Sequence, residues 1–277
     1  MIGVIGATGN VGSVLTQKLV QAGEEVIAVS HGGPDAPSVR NARADITNPP
    51  TVEAALHGAE AVFLLVAVEA HDGVDADALI GAIERTGARR IVLLSSMGTV
   101  SRPEAHGYES LRHVEAAARR SKRDVTILRP TGFASNTFAW VPGIRARRQV
   151  AAPFGDVAIP IVDPADIAEV AAVALRAKGH AGAVYDLTGP APITPRAQTR
   201  DLADALGVEL EFKELGRAEA ARMMVEHMPA DMAEATLDIS GTPNDIERRV
   251  SPDIERVLGR PAAPYSAWVR RNIAAFR

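Results

Sequence analysis

The sequence predicts an α/β protein: a doubly wound parallel sheet with a smaller C-terminal α+β lobe. Three observations lead there. A short β-branched run, Ile2 to Ile5, ends at Gly6 and passes through Gly9 and Gly12 into an amphipathic segment. Strand-like and helix-like segments then alternate through the first half, which is the pattern of βαβ units. The runs Ala61 to Val68 and Arg90 to Ser95 are almost continuously apolar, which suits strands covered on both faces.

Taken in order, Val11 to Gln21 carries Val11, Val14, Leu15, Leu19 and Val20 near helical spacing. Glu25 to Val29 is a second strand, followed by a Pro/Gly-rich stretch from His31 to Pro37. A short third strand ends near Asp45, and Thr51 to Leu56 is a short helix. Ala61 to Val68 is a strand, Asp75 to Arg85 a helix and Arg90 to Ser95 a strand. Glu104 to Ser121 is expected to be helical, and Val125 to Leu128 is a strand closed by Arg129 and Pro130. In the second half, strands are expected at Ala158 to Val162, Val184 to Leu187 and Glu209 to Glu214. Helices are expected at Ala165 to Arg176, Thr194 to Leu206, Arg217 to Glu226, Ala230 to Leu237 and Ala267 to Phe276. Residues 1–134 thus read as a Rossmann core. Residues 135–277 read as a substrate lobe, interleaved with that core through strands near 158–162 and 184–187.

Composition narrows the function. The chain of 277 residues has a formal net charge of −4, which disfavours long-range attraction to nucleic acid or to anionic membranes. It has no cysteine, so disulfides, thiolate metal sites and a cysteine nucleophile are excluded. No apolar run approaches the roughly 20 residues needed to cross a bilayer. A strand pattern already starts at residue 2, so a signal peptide is not expected, and a cytoplasmic location is.

The most informative stretch is Gly6-Ala7-Thr8-Gly9-Asn10-Val11-Gly12. Gly6 permits the tight turn off the strand, Gly9 lets backbone approach a pyrophosphate, and Gly12 lets helix pack closely on strand. The helix N-terminus then offers N–H groups and partial positive charge to phosphates. Strand before and helix after supply the context a dinucleotide loop requires. An acid after the second strand would bind the ribose 2′-hydroxyl of NAD. Here Ser30 and His31 stand in its place, and the lack of an acid favours NADP(H) over NAD(H); Arg40 and Arg43, further on, are read as solvated, although they could fold back toward a phosphate. Asp45 and Ile46 are expected beside the adenine. In such sheets ligands bind at the carboxyl ends of strands. Leu65, Val66 and Ala67, and Ser95, Ser96 and Met97, are therefore candidate cofactor contacts.

Several stretches together resemble the NmrA-like branch of the atypical short-chain dehydrogenase/reductase superfamily. They are GATGNVG at 6–12, LRPTGFASN at 128–136, PIVDPADIAEVAAVAL at 160–175, YDLTGP at 185–190 and GRPAAPYSAWVRRNIAAF at 259–276. The resemblance spans nearly the whole chain. It implies a Rossmann core with a small C-terminal substrate lobe, NAD(P)H-dependent reduction that includes quinone reduction, or, in other members, redox sensing without turnover. It also implies nicotinamide contacts at Pro130 and Phe133.

One departure stands out. The superfamily's Tyr-x-x-x-Lys pair has its best counterpart in Tyr108 and Arg112, and no tyrosine here has a lysine four residues on. Arginine supplies charge but cannot release a proton. Met97 falls where the superfamily places a serine or threonine. Proton transfer by tyrosine to a carbonyl is thus in doubt, whereas a quinone, which delocalises the charge it gains, needs less acid help. Tyr108 and Arg112 remain the candidate catalytic residues. His113 and Glu115, on a polar helix, are read as solvent-facing or ion-paired.

His71, Asn136, Phe138, Trp140 and Phe154 are candidate contacts for a small, aromatic substrate. Asp163 and Asp166 read as the cap and first turn of a helix beginning at Pro164 rather than as metal ligands, and no metal is expected. The leading expectation is a hydride-transferring reductase. The alternative is a non-catalytic NAD(P) sensor that binds a partner protein. A nucleotide-sugar epimerase is weaker, because it relies on the missing tyrosine–lysine pair.

Overall fold

The computed structural model describes residues 1–30, 38–67, 70 and 73–277. The first half runs β1 (Ile2–Ile5), α1 (Gly12–Gln21), β2 (Val26–Val29), β3 (Val39–Ala42), α2 (Pro49–Ala55), β4 (Ala61–Leu65), α3 (Ala76–Arg85), β5 (Arg90–Leu94), α4 (Gly98–Ser101), α5 (Glu109–Arg120) and β6 (Asp124–Pro130). The second half runs α6 (Val141–Arg147), β7 (Gln149–Pro153), α7 (Pro164–Arg176), β8 (Val184–Leu187), α8 (Pro195–Leu206), β9 (Glu211–Leu215), α9 (Arg217–Met224), α10 (Ala230–Gly241), α11 (Asp245–Arg248), α12 (Asp253–Leu258) and α13 (Tyr265–Asn272).

Seven strands form one sheet in the order β3-β2-β1-β4-β5-β6-β8, and every pairing in it is parallel. Successive side chains alternate between the two faces. Ile91 and Leu93 of β5 join the core under α2, α3 and α5, while Val92 and Leu94 join the core under α1, α7 and α12. Both faces are thus apolar, which accounts for the unbroken hydrophobic runs. The chain order reverses between β1 and β4, the crevice where such sheets take ligands. A third core, around Ile144, Leu202, Tyr265, Trp268 and Phe276, fills the lobe that carries the parallel pair β7 and β9.

Several boundaries differ from the sequence expectations. Residues 158–162 form no strand: Ile159 and Val162 make only single bridges, to Ile193 and Phe133. Pro160 lies between them and has no N–H to give to a ladder. Val184–Leu187 pairs with β6 and extends the main sheet. The helix expected from Glu104 begins only at Glu109, after a 3-10 turn at His106–Tyr108. Gly107 fixes that turn, because a Cβ there would come within 2.7 Å of the Met232 backbone at the start of α10. The strand β4 stops at Leu65, and β3 stops at Ala42, so Asp45 and Ile46 lie in the loop beyond it. The helix α6 and strand β7 had no counterpart in the sequence reading. Among the described residues, no helix is long and apolar enough to cross a membrane.

Candidate active site

The phosphate loop is built from backbone. Gly6 sits at φ +81°, where side chains other than glycine are strained. A Cβ on Gly12 would lie 2.1 Å from the Gly6 carbonyl oxygen, so no side chain fits between strand end and helix start. The Gly9 amide closes the turn on that same oxygen at 3.0 Å. Thr8 and Asn10 are exposed, and Val11, the N-cap of α1, makes no side-chain hydrogen bond, so the first N–H groups of the helix have no side-chain cap. At the end of β2, the buried Ser30 Oγ has no hydrogen-bond partner among the described residues. The glycine cradle and this orphaned hydroxyl both fit a dinucleotide lying across β1 and β2. Arg40 does not reach toward it: its guanidinium donates to the carbonyls of Ala55 and His57. Asp45 accepts from the Thr47 amide and hydroxyl, a local turn, while Ile46 packs on the core beneath α2. His31 and His71 lie outside the described residues.

Over the carboxyl ends of β4, β5 and β6 opens a cavity of about 670 Å³. Leu65, Val66, Ala67, Ser95, Ser96, Met97, Tyr108, Pro130, Phe133, Asn136 and Trp140 all line it. So do residues the sequence reading missed, chiefly Gln198 from α8, Met224 from α9, and Met232, Thr236 and Leu237 from α10. Its wall is mostly aliphatic and aromatic. Phe138 and Phe154 do not belong to it. Phe138 packs in the lobe core, 5.0 Å from the Trp268 ring centroid and 5.9 Å from that of Phe276. Phe154, at φ +55°, wedges its ring against Gly241, where a Cβ would come within 2.6 Å of it.

Tyr108 stands at the N-cap of α5 with its ring laid on Gly98, where a Cβ would be 2.2 Å from the ring. Burial pushes its phenol up from the ordinary tyrosine range, and hydrogen bonds with Ser96 and Thr236 offset this only in part. This is the opposite of an activated tyrosine. Arg112 is turned away: its guanidinium donates to the carbonyls of Ala105 at 3.0 Å and Arg102 at 3.5 Å, and it does not line the cavity. Tyr108 and Arg112 therefore do not form a working pair.

Beneath the cavity floor lies a buried carboxylate, Glu115, which is 2% exposed. It accepts from Ser95 Oγ at 2.5 Å, Thr99 Oγ1 at 3.1 Å and Arg129 at 2.9 and 2.5 Å, and it pairs with Arg119 at 2.9 Å. Burial alone would raise its pKa, but the bonds from Arg129, Ser95 and Arg119 prevail and hold it below the usual carboxylate range. Glu115 is thus ion-paired but not solvent-facing. Its signal was present in the sequence, since it shares the apolar face of α5 with Leu111, Val114 and Ala118.

The far wall is clamped by a second network. Arg102 donates to Glu247 from two nitrogens, at 2.8 and 2.9 Å, and to the Thr242 carbonyl at 2.7 Å. Glu247 closes the capping box of α11 with Asn244, whose amide side chain donates to the Ser101 carbonyl. Asp163 caps α7 through the Ala165 amide and pairs with Arg271, and Asp166 pairs with Arg260.

The comparisons agree with this geometry. The family model described as NAD(P)H-binding matches residues 6–178. A Streptomyces griseus protein, (4-alkanoyl-5-oxo-2,5-dihydrofuran-3-yl)methyl phosphate reductase, is 35% identical over all of this chain and 99% of its own. The Escherichia coli NADPH-dependent quinone oxidoreductase QOR2, solved with NADPH, superposes with a TM-score of 0.79 at 22% identity, covering 98% of this chain and 99% of its own. NmrA, a negative transcriptional regulator, superposes with a TM-score of 0.76 at 16% identity over 99% of this chain and 95% of its own. The family model and the reductase relative together show that the chain belongs to the NAD(P)H-binding family, among its reductases.

Proposed function

We propose that this protein uses NADPH in preference to NADH to reduce a flat, conjugated acceptor of the quinone class. The observation that carries the reading is the cavity itself. It is mostly apolar, it sits where a nicotinamide would end, and it offers a buried, hydrogen-bonded tyrosine with a raised pKa in place of an activated acid. The NADPH preference rests on the end of β2, where Ser30, whose hydroxyl has no partner among the described residues, replaces the acid that would select NAD.

The bound cofactor supplies a hydride. The protein's part is position and exclusion of water. Met97, Phe133 and Trp140 are the surfaces on which a planar ring would stack, with Met224 and Met232 adapting to its outline. Ser96, hydrogen-bonded with the Tyr108 hydroxyl, is placed to steady an acceptor oxygen, whereas the Thr236 hydroxyl gives its proton to the Met232 carbonyl. A quinone that gains a hydride becomes a hydroquinone anion whose charge is spread over the ring, and it takes its proton from solvent. The Streptomyces griseus relative acts, by its name, on a phosphate ester; the present cavity favours a different acceptor.

The test is NADPH oxidation followed with neutral quinones and with simple aldehydes and ketones. The expected result is turnover of quinones and none of isolated carbonyls. Comparable rates on both classes would overturn the reading. The inactive-looking Tyr108 and the missing lysine also support a second reading, a sensor of nicotinamide redox state. For a sensor, no acceptor would turn over, and NADPH and NADP⁺ would change affinity for a protein partner unequally.

A further inference from the structure

We infer that the cavity selects uncharged acceptors and rejects those bearing a sulfonate or phosphate, because among the described residues its wall carries no cation and one carboxylate. This deepens the quinone-class reading and rests on it. Among the described residues lining the cavity there is no lysine, arginine or histidine. By sequence, residues 31–37, 68–69 and 71–72, which lie outside the described residues, include no lysine or arginine and two histidines, His31 and His71.

The charged side chain in the wall is Glu247, itself 3% exposed. Arg102 satisfies it with two hydrogen bonds, and the Asn244 amide adds a third at 2.8 Å. The guanidinium is thereby spent on holding α10 and α11 in place, and it does not line the cavity. An anion entering this space meets apolar carbon, neutral hydroxyls and amides, and a carboxylate whose charge is already balanced by Arg102, so no free cation among the described residues is left to pair with it. Moving an anion from water into such a place without a paired cation is costly. A neutral quinone loses little on entry, because each oxygen needs only one donor such as Ser96, Asn136 or Gln198.

The experiment compares 1,4-naphthoquinone with 1,4-naphthoquinone-2-sulfonate as acceptors for the full chain at saturating NADPH. The sulfonate is the stronger oxidant, so intrinsic reactivity favours it. The inference predicts that kcat/KM for the neutral quinone is higher by about tenfold or more, with the difference in KM, as the cost of desolvating an unpaired anion requires. Equal or better kcat/KM for the sulfonate overturns it. In Glu247→Gln the wall loses its carboxylate and Arg102 keeps its charge, so the ratio should close by about threefold or more. An unchanged ratio in folded Glu247→Gln overturns the part given to Glu247; if that variant does not fold, the wild-type ratio decides.

Should neither quinone turn over, the quinone-class reading fails, and calorimetric binding to the protein saturated with NADPH, whose nicotinamide is uncharged, still tests selectivity. Tighter binding of the neutral quinone supports the inference, and equal or weaker binding overturns it.

Discussion

The phosphate loop and the acceptor cavity share the carboxyl edge of one sheet, yet they are made of different material. The loop is a backbone device. Gly6 turns at positive φ and Gly12 leaves room for a carbonyl 2.1 Å from where its Cβ would stand. The cavity is a side-chain device, assembled from β-strand ends, α4, α8, α9 and α10, and held from behind by Glu115 and from the side by Arg102 with Glu247. A backbone device is specified by one short stretch and fails at a single position. A side-chain device draws on distant segments, and its weakest points are the charges that tie those segments together.

The comparison can be broken hardest at Glu115. Glu115→Gln removes the carboxylate between Arg129 and Arg119 and leaves Arg129 half-buried without its partner. The expected loss is about 3 kcal/mol, the size seen when one member of a buried pair is removed, read as a lower midpoint in urea. The pH dependence follows from the lowered pKa. Glu115 contributes its full stability above the ordinary carboxylate range, and that contribution is lost as pH falls through its depressed folded value. The gap between wild type and variant should therefore narrow in acid, and a gap independent of pH would contradict the ion-pair account.

A second break separates two glycines of the loop. Gly12→Ala forces a methyl against the Gly6 carbonyl, so stability should fall by about 1–3 kcal/mol, the usual cost of overpacking, and NADPH affinity should fall with it as the loop shifts. Gly9→Ala meets only the Gly6 oxygen, at 3.4 Å. It should keep its midpoint and lose affinity alone, as calorimetric titration with NADPH would show. Equal loss of stability in both variants would mean the two glycines share one role.

The smallest effect sharpens the distinction between scaffold and chemistry. Arg112→Ala removes donors to two loop carbonyls and should cost about 1 kcal/mol of stability, the usual net worth of such bonds, while kcat is unchanged. A large fall in kcat at unchanged stability would return Arg112 to the reacting groups.

What the sequence disclosed follows the same division. Gly6, Gly9 and Gly12 and the apolar runs of β4 and β5 were legible because local sterics and burial write them into contiguous residues. The strand expected at 158–162 is absent because the missing N–H of Pro160 outweighs the apolar pattern around it. Phe138 and Phe154 were assigned to the substrate wall because aromaticity does not say which way a ring turns; one faces the lobe core, the other Gly241. Arg112 was read by its spacing from Tyr108, but the 3-10 turn that Gly107 imposes sends its guanidinium to the loop. Met232 and Thr236 reach the cavity only through the packing of α10 on that turn, a long-range contact that no local pattern announces.

The central claim is that reduction here proceeds without tyrosine as the acid. The most direct measurement is kcat of Tyr108→Phe with 1,4-naphthoquinone and NADPH, beside wild type under the same conditions. The account predicts a rate within about tenfold of wild type, below the range typical of a lost general acid. A fall of about a thousandfold with NADPH affinity intact, within the range general acid–base catalysis contributes, would show that Tyr108 donates the proton after all.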